Sequence, residues 1–292
     1  MPMPADVPVI DLMMGLPEGH KKDWYGFMRK GFMDAESPDM EFPAQYMFKN
    51  VPSDIDESAD PIAVVLDEMD HFNIEKAMLG IGGRSGNERT NSHRALKEHP
   101  DRFFCSYEVD PNRGMEGVRD LVRAHEEFGI KAATAFPAGM LPQVPINDKK
   151  FYPLYAKCIE LDIPITITTG VPGPRLPMLC QKTELLDEVC WFFPELRVVM
   201  RHGAEPWDAL AVKLMRKWPN LYYSTSAFSP KYYPKTIIDF ANTRGTDKVM
   251  YAGYFPMGLS LERIFKDMQD VPFRDHVWPK FLHENARRVF KL

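Results

Sequence analysis

The sequence predicts a distorted (β/α)8 TIM barrel with an ordered insertion after its first strand. Three observations carry this expectation. Eight short apolar segments, most rich in β-branched or aromatic residues, alternate with stretches of helical periodicity. Such alternation implies parallel strand pairing, because each crossover needs a helix. The 292 residues show no dividing linker, and eight units in a chain of this size point to a closed barrel forming one domain over 1–292. The competing architecture is an open doubly wound sheet. It usually carries a glycine-rich phosphate turn after its first strand, and MMGLPEG lacks the G-x-G-x-x-G spacing.

The elements follow in order. VPVID at 7–11 is the first strand candidate. Residues 16–60 are irregular, too long for an ordinary loop and too aromatic for disorder, so they read as a cap over the site or a contact with a second subunit. A helix is expected at 61–72, opened by Pro61, then a strand at 74–81. A helix at 91–97 and a strand at 102–109 come next. The amphipathic helix 115–128 leads to a strand at 130–136. Helix 151–161 precedes strand IPITITT at 163–169, and helix 182–192 precedes strand 196–202. Helix 207–218, strand 221–225, helix 232–242 and strand 249–253 complete the eight units. Helices 261–270 and 279–290 end the chain.

Composition narrows the function classes. Hydrophobic residues at 45% and charged residues at 26% are globular values, and a net charge of -5 argues against a nucleic-acid partner. No apolar run is long enough to span a membrane, and the N-terminal residues lack the parts of a signal peptide, so the expected location is the cytoplasm. Cys105, Cys158, Cys180 and Cys190 have no C-x-x-C spacing and suggest neither a zinc site nor a disulfide framework. Methionine (18) and phenylalanine (19) are abundant, which allows an apolar pocket as well as plain core filling.

The segment VVMRHGAEPW at 198–207 organises the rest. An apolar β-branched run suits a strand covered on both faces. It ends in Arg201-His202-Gly203, and Pro206 suits the first turn of a following helix. In a parallel barrel His202 therefore stands at a strand's carboxyl end, where ligands bind. A His buried and hydrogen-bonded at a strand end is the competing reading.

Four segments together resemble the amidohydrolase superfamily, in its branch of small-acid decarboxylases, hydratases and lactonases. They are VIDLMMG, PLYAKCIELDIPITITTG, VVMRHGAEPW and VMYAGYFP, and the tail HENARRVFKL is similar to the family's closing helix. The resemblance implies a barrel with a divalent metal at its mouth. In the family the first strand ends in Asp-x-His-x-His; here those two His positions fall on Met13 and Gly15. The fifth-strand ligand position falls on Thr168, and the eighth-strand Asp position on Tyr254. Only the sixth-strand His remains, as His202. Zinc takes about four N, S or O donors at roughly 2.0–2.3 Å, and a thioether or a glycine does not replace imidazole for such a cation. The expectation is an enzyme with no catalytic metal and no other cofactor.

Chemistry must then come from side chains. His202 is a candidate general base. Tyr254, Thr168, Thr169 and Ser226 are candidate donors to an oxyanion, Arg84, Arg175 and Arg201 candidate clamps for a carboxylate or phosphate, and Met13 a substrate-facing residue. Glu108 and Glu205 would orient His202 or act as bases. Each has a plainer reading: Tyr254 as a rim aromatic, the threonines as β-formers, Arg201 as a wall residue paired with Glu108 or Asp110, Arg84 and Arg175 as solvated loop charges, and Glu205 as a first-turn helix residue.

Residues around Met13-Met14-Gly15 and EFPAQYMF also resemble a subgroup linked to cleavage of aryl β-ketoacyl-CoA thioesters. This implies hydrolytic C–C cleavage of an aryl or steroid-derived β-ketoacyl-CoA thioester, with His202 as base; a homodimer or higher homo-oligomer is expected. A small-acid decarboxylase or hydratase, and a catalytically silent barrel acting as a binding or assembly partner, are the alternatives.

Overall fold

The computed structural model of the chain describes residues 2–17, 26–48, 59–82 and 90–292. Eight strands form one parallel sheet in chain order. They are β1 (Val9–Asp11), β2 (Ile74–Ile81), β3 (Phe103–Glu108), β4 (Ala132–Ala135), β5 (Ile165–Thr168), β6 (Val198–Arg201), β7 (Leu221–Ser224) and β8 (Val249–Met250). Between β8 and β1 the ladder gives way to an isolated parallel bridge from Met14 to Phe255. The Gly15 N–H also donates to the Phe255 carbonyl at 2.9 Å. This is the distorted barrel that the alternation of elements predicts.

The helices are α1 (Pro61–His71), α2 (Thr90–Glu98), α3 (Gly114–Phe128), α4 (Tyr152–Glu160), α5 (Leu186–Phe192), α6 (Asp208–Lys217), α7 (Lys235–Ala241), α8 (Leu261–Met268) and α9 (Asn285–Phe290). Their ends have local causes. The Asp60 carboxylate caps α1 by accepting from the Ile62 N–H, with Pro61 in the first turn. Gly129, left-handed at φ 59°, ends α3. The Ser260 hydroxyl caps α8 at the Arg263 N–H.

Several boundaries differ from expectation. Pro206 does not open a helix: α6 begins at Asp208. The expected helix at 182–192 opens with a 3-10 turn at Thr183–Leu185 before α5, and another 3-10 turn, Leu179–Gln181, precedes it. Helix α7 begins at Lys235, because Pro234 disfavours helical backbone at Tyr233. The final helix opens with a π turn at Lys280–Glu284.

Strand alternation divides the core. Val198 and Met200 pack outward in the large cluster under the helices, while Val199 points into the barrel with Ile10, Met78 and Phe104. Ala286, Val289 and Phe290 from α9 join this inner cluster, and the Phe290 ring meets Phe104 edge-on at 6.3 Å. The tail thus closes the amino-terminal end of the barrel and leaves the carboxyl-terminal mouth for a site. All four cysteines are free and buried, and burial pushes the Cys105, Cys158 and Cys190 thiols up to about 12. No helix among the described residues is long and apolar enough to cross a membrane.

Candidate active site

A cavity of about 1110 Å³ opens at the carboxyl ends of the strands. Met13, Glu108, Thr168, Arg201, His202, Glu205 and Tyr254 all line it. Six of these are polar residues that the sequence singled out; Ser106, Thr134, Lys231 and Arg263 are among the polar wall residues it did not.

His202 stands just past β6 in the left-handed region, at φ 62°. A non-glycine residue there is uncommon and costs backbone energy. Gly203 follows at φ 90°, and a Cβ on it would lie 2.7 Å from the Phe228 ring. The β6 exit is thus folded tightly against the loop after β7. The Ser226 hydroxyl fixes the result. It accepts the His202 backbone N–H at 3.0 Å and lies 3.1 Å from Nδ1 of the same residue. Burial, then the neighbouring Arg201 charge, hold the imidazole well below its usual value. His202 is therefore neutral near pH 7, and weaker as a base than the sequence suggested.

Glu205 is positioned by glycine chemistry on another loop. Gly170 sits at φ 91°, and a Cβ there would come within 2.7 Å of the Glu205 carbonyl. That carbonyl accepts the Val171 N–H at 2.8 Å. The loops after β5 and β6 are locked together, with the Glu205 side chain on the cavity wall. Burial first, and Asp208 second, raise its carboxyl above the ordinary value.

Tyr254 joins the site to the cap. Its ring meets His202 edge-on at 5.6 Å, stacks on Phe48 at 5.8 Å and meets Phe42 at 5.9 Å. The described part of the insertion, 26–48, thus covers the mouth with apolar side chains, including Met28 and Met47. A run of hydroxyls floors the chamber on the β3–β5 side. Thr134 and Thr166 share a hydrogen bond of 2.9 Å, Ser106 lies on the wall, and the Thr168 hydroxyl makes no hydrogen bond among the described residues.

Other expected site residues lie elsewhere. Arg175 is not on the cavity wall. It binds Asp34 at 2.9 Å and Glu36 at 2.8 Å and lies over the Tyr46 ring at 5.1 Å, so it holds the cap rather than a ligand. Thr169 and Ser226 are buried behind the wall; Ser226 reaches the site only through His202. Arg84 lies outside the described residues. Sequence reasoning missed Lys231 and Arg263, two basic residues on the cavity wall, because neither sits at a strand end.

The metal that the superfamily implies does not fit these residues. Among the described residues, no three His, Cys, Asp or Glu side chains converge on a cation position. The space is also crowded: a Cβ on Gly15 would lie 2.9 Å from Met257 Sδ and 3.1 Å from Pro256 Cδ, so any side chain there must push the Met257 thioether aside. The Asp11 carboxylate is turned to backbone instead, accepting the Met13 and Gly253 N–H groups at 2.8 Å each.

Fold and cavity together define a TIM barrel with a chamber at its mouth that combines apolar walls with charged and hydroxyl side chains. A family model described as amidohydrolase matches residues 16–292, and the chain belongs to the amidohydrolase family. No curated protein matches the sequence. Among solved structures, an uncharacterized TIM-barrel protein of Bordetella bronchiseptica is similar at 23% identity, with a TM-score of 0.76 over 98% of this chain and 99% of that one. The 5-carboxyvanillate decarboxylase of Novosphingobium aromaticivorans, complexed with manganese and 4-hydroxy-3-methoxy-5-nitrobenzoic acid, is 18% identical with a TM-score of 0.69 over 99% and 97%. A probable 2-pyrone-4,6-dicarboxylic acid hydrolase of Acinetobacter baumannii, with citric acid bound, is 14% identical with a TM-score of 0.63 over 97% and 99%.

Proposed function

We propose that this chain cleaves a carbon–carbon bond beside a carbonyl group in a bulky apolar acid or its thioester, using side chains rather than a bound metal. One observation carries the reading. One chamber holds a cation (Arg201), a neutral imidazole (His202), a phenol (Tyr254) and two carboxylates (Glu108, Glu205), with no convergent donor set for a cation among the described residues.

The substrate that suits this best is an aryl β-ketoacyl-CoA. Glu205 takes a proton from water, and the water oxygen adds to the β-ketone carbon. The ketone oxygen becomes an oxyanion beside Arg201, His202 and Tyr254. When it re-forms the carbonyl, the C–C bond breaks, and its electron pair passes to the α-carbon and the thioester oxygen. Protonation of that enolate yields acetyl-CoA, and the other product is the arylcarboxylate. Phe42, Phe48 and Met13 supply an apolar wall for the aryl group. Lys231 and Arg263 supply positive charge for the CoA phosphates.

A second reading, decarboxylation of an aromatic acid, is favoured by the likeness to the 5-carboxyvanillate decarboxylase. Purified protein offered an aryl β-ketoacyl-CoA and a set of aromatic acids separates the two. Release of acetyl-CoA, lost in Glu205→Gln, supports the first, and release of carbon dioxide supports the second. No turnover of either set favours a binding role.

A further inference from the structure

The Ser226–His202 pair fixes more than a ring orientation. Ser226 is fully buried, and its oxygen has two neighbours, the backbone nitrogen and the Nδ1 of His202. A hydroxyl has one hydrogen to donate. The backbone N–H can only donate, so it uses a lone pair of Oγ. Among the described residues the one acceptor within reach of the hydroxyl hydrogen is Nδ1. Were Nδ1 itself protonated, it too would point a hydrogen at Oγ. The Ser226 hydrogen would then be buried without an acceptor, which is the costly arrangement.

From this geometry we infer that Ser226 is a positioning residue that holds His202 as the Nε2–H tautomer, so that the imidazole acts as a neutral hydrogen-bond donor to an oxygen atom of the substrate. The edge-on Tyr254 ring helps to hold the imidazole plane, and the opposite ring nitrogen is left for the cavity, whose wall His202 lines. Nε2–H then donates to the oxyanion and moves no proton, and base duty falls to a carboxylate. Burial and the Arg201 charge act in the same sense, by keeping the ring uncharged, and outweigh a hydrogen bond between the ring and the Ser226 backbone that favours the charged form. The titratable groups on the wall with it are Arg201, Glu108, Glu205, Tyr254, Lys231, Tyr232 and Arg263. A neutral imidazole donor suits this chamber, because an imidazolium beside Arg201 would add a second buried cation.

The role rests on the proposed function, but the tautomer does not, so the two fail separately. The test is nitrogen-15 NMR of the full chain labelled at histidine, with His202 assigned from a His202→Gln spectrum. The expected result is a pyridine-type Nδ1 and a pyrrole-type Nε2, unchanged between about pH 5.5 and 8. Ser226→Ala is expected to mix the tautomers, and Ser226→Thr to restore the wild-type pattern. In kinetics, Ser226→Ala should lower kcat about tenfold or more with a much smaller change in KM. A protonated Nδ1 in the wild-type protein, or an imidazole that titrates in that range, overturns the inference even if the enzyme turns over. So does an unchanged pattern in Ser226→Ala. Where no substrate is turned over, the spectrum still decides the tautomer, and only the functional reading falls.

Discussion

The Asp11 carboxylate accepts the Gly253 N–H at 2.8 Å, and a Cβ on Gly253 would lie 2.6 Å from Asp11 Oδ2. This contact joins the first and last strands where their ladder is missing. It requires both a carboxylate on β1 and a residue without a side chain after β8. It also buries a charge: desolvation outweighs the hydrogen bonds from Gly253, Met13 and Tyr251 and raises the Asp11 carboxyl from 3.8 to about 6.

That shift predicts a pH dependence. A raised folded-state value means that the ionised form is disfavoured in the folded protein. The group's contribution is full below about pH 4 and is lost as the pH rises through about 6. Moving the carboxyl from 3.8 to about 6 corresponds to ~3 kcal/mol at most. Asp11→Asn removes the titration and keeps an acceptor oxygen. Urea unfolding at several pH values should show the variant gaining on wild type between about pH 4 and 7. A constant difference across that range contradicts the assignment.

Gly253→Ala tests the same joint sterically. The added methyl would meet Asp11 Oδ2 and, at 2.9 Å, the Tyr251 hydroxyl. Overpacking of this kind costs about 1–3 kcal/mol. Thermal unfolding should show a lower Tm, and an unchanged Tm would mean that the joint is looser than described.

The cap makes a separate prediction. Arg175 pairs with Asp34 and Glu36, and the Tyr46 hydroxyl donates to the Gly173 carbonyl. These contacts are largely exposed, so Arg175→Ala should cost no more than about 1 kcal/mol of stability. It should instead loosen the 26–48 segment over the cavity and raise KM several-fold while Tm barely moves. A collapse in Tm with an unchanged KM would reverse this assignment.

Restoring the family's ligands should not restore a metal site. Gly15→His adds a Cβ 2.9 Å from Met257 Sδ and 3.1 Å from Pro256 Cδ, so the Met257 side chain must give way before an imidazole can be seated. The variant, alone or with Met13→His, is expected to lose stability and to take up no stoichiometric manganese or zinc by elemental analysis. Tight binding of one ion per chain would show that the loop after β8 yields easily.

Much of this was legible in sequence because barrel strands leave a strong signal. Val198, Val199 and Met200 are covered on both faces, so an apolar run had to mark β6. The positions Met13, Thr168, His202 and Tyr254 could be placed because strand ends converge on one mouth. Arg175 could not: its partners Asp34 and Glu36 lie some 140 residues away in sequence, and no local pattern joins them. Ser226 was found as a hydroxyl near the site, but its bond to the ring of His202 depends on the left-handed backbone at that residue. The Asp11 contact with the Gly253 N–H joins residues 242 positions apart, and no local pattern joins them.

The central claim is that the chamber around His202 works without a bound cation. The most direct measurement is turnover of an aryl β-ketoacyl-CoA by protein that has been chelator-treated and assayed for metal. The account predicts an undiminished rate at substoichiometric metal, falling ~10²-fold or more in Arg201→Gln and His202→Ala. Activity that disappears on chelation and returns with manganese or zinc would contradict it.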